Sequence, residues 1–153
     1  MTSAGQFYFN KRATKIYCNS HTSKNFDVPT SASATIHYGE NETLHAHFGF
    51  QLEYRNTLNL LGQDFNYSID RAFTIPPDLP SAIIHKSKDK IENILIQPCD
   101  HFSEMLDHFS GLAAKGNTAS FNKKFLEQAI QLEAMEKSAR TKKPQAIAYG
   151  RLK

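Results

Sequence analysis

At 153 residues and 17.3 kDa, with 40% hydrophobic and 22% charged residues, the chain can bury a core covering about two-thirds of its unfolded surface. That excludes a disordered polar polymer and a mini-protein dependent on staples. The net charge of +3 hides an asymmetry, because all 15 acids lie before Lys137 and the last 17 residues carry six cations and no acid.

The N-terminal stretch "MTSAGQFYFNKRATK" lacks the apolar run of a signal peptide, and nowhere do eighteen apolar residues follow one another. A cytoplasmic protein without a membrane partner is expected. "QFYFN" puts Phe7 and Phe9 on one side of Tyr8 and predicts a strand, followed by "TKIYC". "NSHTSKNFDVPT" is polar and turn-rich, a loop. Residues 34–38 and 43–54 form the clearest hairpin, since Leu44, Ala46, Phe48, Phe50, Leu52 and Tyr54 alternate with polar or small residues. "TLNLL" and "FNYSIDRAFTI" predict strands on either side of a turn at Gly62, Gln63 and Asp64. "IPPDLP" interrupts them, and "SAIIHK" and "KIENILIQ" predict a further hairpin.

Helical period begins after Pro98. Asp100 is a suitable N-cap for a stripe of Phe102, Met105, Leu106, Phe109, Leu112 and Ala113, which stops at Gly116. A second helix is expected to turn Phe121, Phe125, Ala129, Leu132 and Met135 inward and Glu127, Glu133 and Glu136 outward, ending before Pro144. The fold class is therefore α+β: an antiparallel sheet or open barrel of about seven strands over residues 6–97, then two amphipathic helices at about 100–115 and 119–141. Residues 1–143 are expected to form one domain and 144–153 a basic C-terminal tail. No GxGxxG or GxxxxGK[ST] stretch is present, so the usual phosphate cradles have no support in the sequence.

Three of the seven histidines, His37, His45 and His47, fall in the first hairpin. If its loop is Glu40 to Glu42, Tyr38 faces Leu44, Ile36 faces Ala46 and Ala34 faces Phe48, all apolar and on one side. The same pairing sets His37 opposite His45 and Thr35 opposite His47, gathering three imidazoles on the other side. Such a set offers nitrogen ligands to zinc or another divalent transition metal and leaves a place for water. The arrangement resembles the His-x-His strand and neighbouring-strand histidine of carbonic anhydrases and, less closely, the His-x-His of cupins. The resemblance covers one hairpin, and neither activity is carried over. A hydrolase or lyase built there would use Glu53 or Glu42 as base. The plain alternative is a solvated strand face, and clustered imidazoles also suit an anion or a pH response.

His101, Glu104 and His108 share the polar side of the first C-terminal helix, where a solvated face is the ordinary explanation. Cys18 and Cys99 show no metal-ligand or CxxC spacing and are expected as reduced thiols in the core. "NET" at Asn41 and "NYS" at Asn66 match the glycosylation pattern by chance if the chain is not secreted.

Lys137, Arg140, Lys142, Lys143, Arg151 and Lys153 in the tail, with Tyr8, Lys11 and Arg12 near the start, form a candidate surface for an acidic protein or nucleic acid. Part of the tail, "QAIAYG", can instead dock as a last strand. Taken together these features lead to the expectation of a small non-catalytic binding or regulatory protein engaging an acidic partner, with no cofactor and a possible homodimer through open strand edges. The competing expectations are the metal-dependent hydrolase or lyase and a binder of a small ligand such as a nucleotide or sugar.

Overall fold

Alternating apolar residues and turn formers set out the strands, and the computed structural model shows how they pair. It describes residues 2–50, 52–88, 90–116 and 119–150, without the side chains of 119–121. The order is α1 (Thr2–Phe9), β1 (Lys15–His21), β2 (Ser31–Tyr38), β3 (Glu42–Gly49), β4 (Thr57–Leu61), β5 (Asn66–Asp70), β6 (Ser81–Ser87), β7 (Lys90–Ile96), α2 (His101–Ala114), α3 (Ala119–Thr141) and β8 (Gln145–Ala146). Strands before C-terminal helices give the expected α+β class. The strands form two four-stranded antiparallel sheets, ordered β3-β2-β1-β8 and β4-β5-β6-β7. Two compact units contain them: Met1–Gln51 with Thr118–Lys153, and Leu52–Asn117.

Unit 1 owns the core. Ile16, Cys18, Ala32, Ala34, Ile36 and Tyr38 line one face of its sheet, are buried, and cluster with Ala13 and Met135. Burial raises the pKa of the Cys18 thiol. Phe9, Leu44, Ala134, Ala139 and Ile147 pack around this cluster. Tyr38 is the largest fully buried side chain. Its hydroxyl donates to the Thr2 carbonyl at 3.3 Å, and burial first, then the nearby Tyr149, pushes its pKa up to about 12.

The predicted strand at "QFYFN" is a helix instead. Three alternating aromatics are too short a run to separate the two periods, and the helix brings Gly5 against the Tyr38 ring, where a Cβ would lie 2.2 Å from the phenol oxygen. Asn10, at φ +48, ends α1 with its N–H bonded to the Gln6 carbonyl at 3.0 Å.

The long helix α3 departs from expectation in part: Met135 of the predicted stripe is buried, but Glu127, expected outward, Gln131 and Ser138 are its other buried residues. Phe125 and Leu132 are exposed, and the Phe121 side chain lies outside the described residues. Polar groups reach the interior here because most find partners. Arg12 Nε donates to Glu127 Oε1 at 2.7 Å and Gln6 Nε2 to Glu127 Oε2 at 3.3 Å. Ser138 Oγ accepts the Cys18 N–H at 2.9 Å and donates to the Lys143 carbonyl at 2.8 Å, joining strand, helix and tail. The "QAIAYG" alternative holds for its first residues, since Gln145–Ala146 is β8 beside β1.

Unit 2 has no such core. None of its described residues is buried. Its register does sort the side chains, placing Leu58, Ile69, Ile83 and Ile94 in one cross-strand row. The expected stripe of α2 exists, yet Phe102, Met105, Leu106 and Phe109 are each more than half exposed. Asp100 caps that helix, accepting from the N–H groups of Phe102 and Ser103, and the Ser103 hydroxyl holds its carboxyl below the usual range. Among the described residues, no helix is long and apolar enough to cross a membrane.

Candidate functional site

The outer face of the first sheet is a lattice of polar side chains. Its rows run Lys15, His37, Thr43; Tyr17, Thr35, His45; and Asn19, Ser33, His47. The loop closes through Gly39, Glu40 and Asn41 with Tyr38 opposite Glu42, so pairing is displaced by two residues from the expected register. A shift of two keeps every side chain on its own face, so burial does not distinguish the two pairings. Gly39 does, because at φ +89 it belongs in the turn.

Each imidazole sits against a hydroxyl of the neighbouring strand: His37 Nδ1 3.3 Å from Thr43 Oγ1, His45 Nδ1 3.2 Å from Thr35 Oγ1, and His47 Nδ1 2.9 Å from Ser33 Oγ. The rings share a face without converging. Among the described residues no group of three or more His, Cys, Asp or Glu side chains is arranged to hold a metal ion. Of the proposed bases, Glu42 is paired with Lys11, whose hydrogen bond lowers its pKa, and Glu53 is exposed in the other unit.

The basic residues are brought together only in part. Lys11 and Arg12 are engaged by Glu42 and Glu127, and the Arg12 guanidinium also lies 5.1 Å from the centre of the Tyr149 ring. Lys142 Nζ donates to Asn19 Oδ1 at 2.7 Å. Lys137, Arg140 and Lys143 are exposed, Tyr8 packs edge-on against Phe7, and Arg151 and Lys153 lie outside the described residues.

Behind Arg12 lies a buried polar site that the sequence did not signal. The Gln131 side chain is fully buried, and neither its amide atoms nor the Tyr149 hydroxyl finds a hydrogen-bond partner among the described residues. The amide stands near enough to draw the phenol's pKa down, against a larger upward push from burial, but outside full hydrogen-bonding geometry.

Unit 2 holds an open groove of about 490 Å³, lined by Phe73, Ile75, Leu79 and Ile96 with Gln97, Cys99, His101 and Phe102. A depression of about 240 Å³ containing Asp70 and Arg71 shares Ile75 and Ser81 with it. The sequence marked this segment only by the prolines of "IPPDLP". In the sheet beside it, His85 stacks on Tyr67 with centroids 4.4 Å apart and lies 3.7 Å from Glu92. Sequence spacing alone hid both partners.

No protein-family model and no curated protein matches the chain. Solved structures do. KijD10, a 3-ketoreductase from Actinomadura kijaniata in complex with NADP and TDP-benzene, matches with a TM-score of 0.83 at 17% identity, over 90% of this chain and 42% of its own. Its open conformation gives 0.80 at 18% identity, over 92% and 43%. A candidate oxidoreductase from Klebsiella pneumoniae gives 0.65 at 13% identity, over 95% and 46%.

The chain thus spans less than half the length of these proteins. At such identities the likeness shows the fold alone. It nevertheless overturns the expectation of a non-catalytic binder, because the fold is shared with an NADP-bound ketoreductase. The expectation of no cofactor, with zinc as the alternative, is corrected on the same ground, since the cofactor held by that neighbour is a nucleotide.

Proposed function

We propose that this chain is the substrate-side part of an NADP-dependent oxidoreductase that reduces a keto group on a nucleotide-linked substrate. The observation that carries this reading is the match over 90% of the chain to a 3-ketoreductase solved with NADP and TDP-benzene. The division of labour has physical support. A dinucleotide cradle is built on parallel βαβ units with a glycine-rich first turn, whereas every strand pair among the described residues is antiparallel. Hydride transfer therefore draws on a dinucleotide-binding part beyond these 153 residues. The exposed stripe of Met105, Leu106 and Phe109 on α2 is suited to pack against it.

The test is to recover the tagged chain from its own host and follow NADPH absorbance at 340 nm with TDP-linked ketones, alongside mass spectrometry for bound NADP. The reading expects bound NADP and NADPH consumption, both lost when Met105 and Phe109 are changed to Glu. A wild-type preparation with neither bound NADP nor turnover would overturn it.

A further inference from the structure

The loop between β5 and β6 is held more firmly than a connection requires. Asn56 grips Phe73 at both backbone groups: its Nδ2 donates to the Phe73 carbonyl, and its Oδ1 accepts the Phe73 N–H at 3.2 Å. The Ala72 N–H bonds the Asn56 carbonyl at 2.8 Å. Arg71 and Thr74, on either side, take φ values of +55 and +52, a conformation that is costly for a β-branched threonine. Pro76, Pro77 and Pro80 stiffen the rest of the connection to β6.

This restraint presents the Phe73 ring, 48% exposed, to the groove that Phe102, 53% exposed, also lines. Folding gains little from a half-exposed aromatic fixed in a strained loop. A ligand gains much, because the cost of ordering its contact has already been met. The groove has a volume suited to a small molecule. No carboxylate or ammonium lines it among the described residues, and its hydrogen-bonding groups include the Gln97 amide, the Thr74 hydroxyl and the His101 ring. A phosphate placed there would lose its hydration without a fixed counter-charge. A neutral planar ring with donor and acceptor edges meets both its walls and its polar groups.

We infer that this groove binds the base of a nucleotide-linked substrate, with Phe73 as the stacking surface, the Gln97 amide serving the ring edge and Thr74 Oγ1, which donates to the Phe73 carbonyl at 2.7 Å, left as an acceptor. The assignment rests on the proposed function for the source of its ligand, but its test needs no turnover. In the adjoining depression Arg71 is accompanied by Asp70. The base, more than the diphosphate, therefore carries the affinity.

Cys99 lines the groove and is exposed, while Cys18 is buried, so alkylation of Cys99 by iodoacetamide, read by intact mass, reports occupancy. Thymidine and thymidine diphosphate are each expected to slow that reaction about tenfold at nine-tenths occupancy. Inorganic diphosphate leaves it unchanged. Phe73→Ala, at an exposed position, is expected to weaken both ligands about tenfold with the circular dichroism spectrum unchanged. Equal protection by diphosphate alone, undiminished protection in Phe73→Ala, or no protection by either nucleotide at about 10 mM, enough to fill a millimolar site, would overturn the assignment. Protection without NADPH turnover would leave the groove standing and remove the proposed reaction. Turnover without protection would do the reverse.

Discussion

The two sheets have the same number of strands and the same antiparallel pairing, yet they solve burial differently. In unit 1 one face of the sheet is closed by Met135, Ala134 and Ala139 of α3, and the other is a wet lattice of hydroxyls and imidazoles. In unit 2 a row of four aliphatics crosses the sheet and an amphipathic helix comes after it, but no described residue is buried. The lesson is that hydrophobic pattern specifies which face wants cover, not what supplies it. A chain spanning under half the length of its structural neighbours is where that distinction matters.

Three substitutions or titrations sharpen the contrast from the unit 1 side. The largest effect is expected from Gly5→Ala, because a new Cβ would lie 2.2 Å from the hydroxyl oxygen of the fully buried Tyr38. Overpacking of this kind costs about 1–3 kcal/mol or more. The thermal midpoint should fall by several degrees, and an unchanged midpoint would mean that α1 does not close over Tyr38.

Next comes the alkaline limb of stability. The Tyr38 pKa is raised from 10.0 to about 12 in the folded chain, so the unfolded chain releases its proton first as pH rises. This contribution is fully present below pH 10 and is lost as pH climbs to about 12, a span worth roughly 2–3 kcal/mol. Denaturant midpoints measured across that range should fall less steeply in Tyr38→Phe.

The smallest is Ser138→Ala. It strands the buried Cys18 N–H and leaves the Lys143 carbonyl with the Gln145 Nε2 donor at 3.1 Å, costing about 1–2 kcal/mol, and should loosen β8, read as faster amide exchange at Ile147, whose N–H bonds the Thr14 carbonyl at 3.0 Å.

Much of this architecture could be read from residue order. Alternation over Leu44–Phe48 and the turn at Gly62 place the strands, although β3 ends at Gly49 rather than Tyr54 and β5 at Asp70 rather than Ile75, and Asp100 with Pro98 starts α2 where expected. The failures have physical causes. A two-residue slip leaves the in-and-out pattern untouched, so hydrophobicity could not tell His37 opposite His45 from His37 opposite Thr43. Glu127 sits in the buried face of α3 because Arg12 and Gln6, more than a hundred residues earlier, satisfy it. No local period reports such a partner. The groove was invisible for a related reason: Phe73, Cys99 and Phe102 belong to different segments, and what fixes Phe73 is the side chain of Asn56.

The central claim is that unit 1 carries its own core while unit 2 leaves its apolar surface uncovered. Amide hydrogen exchange on the isolated 153-residue chain tests it most directly. The account predicts slow exchange at β1 and β2, and exchange at β5 and β6 faster by about a hundredfold or more, as expected when opening costs differ by about 3 kcal/mol. Equal protection in the two sheets would contradict it.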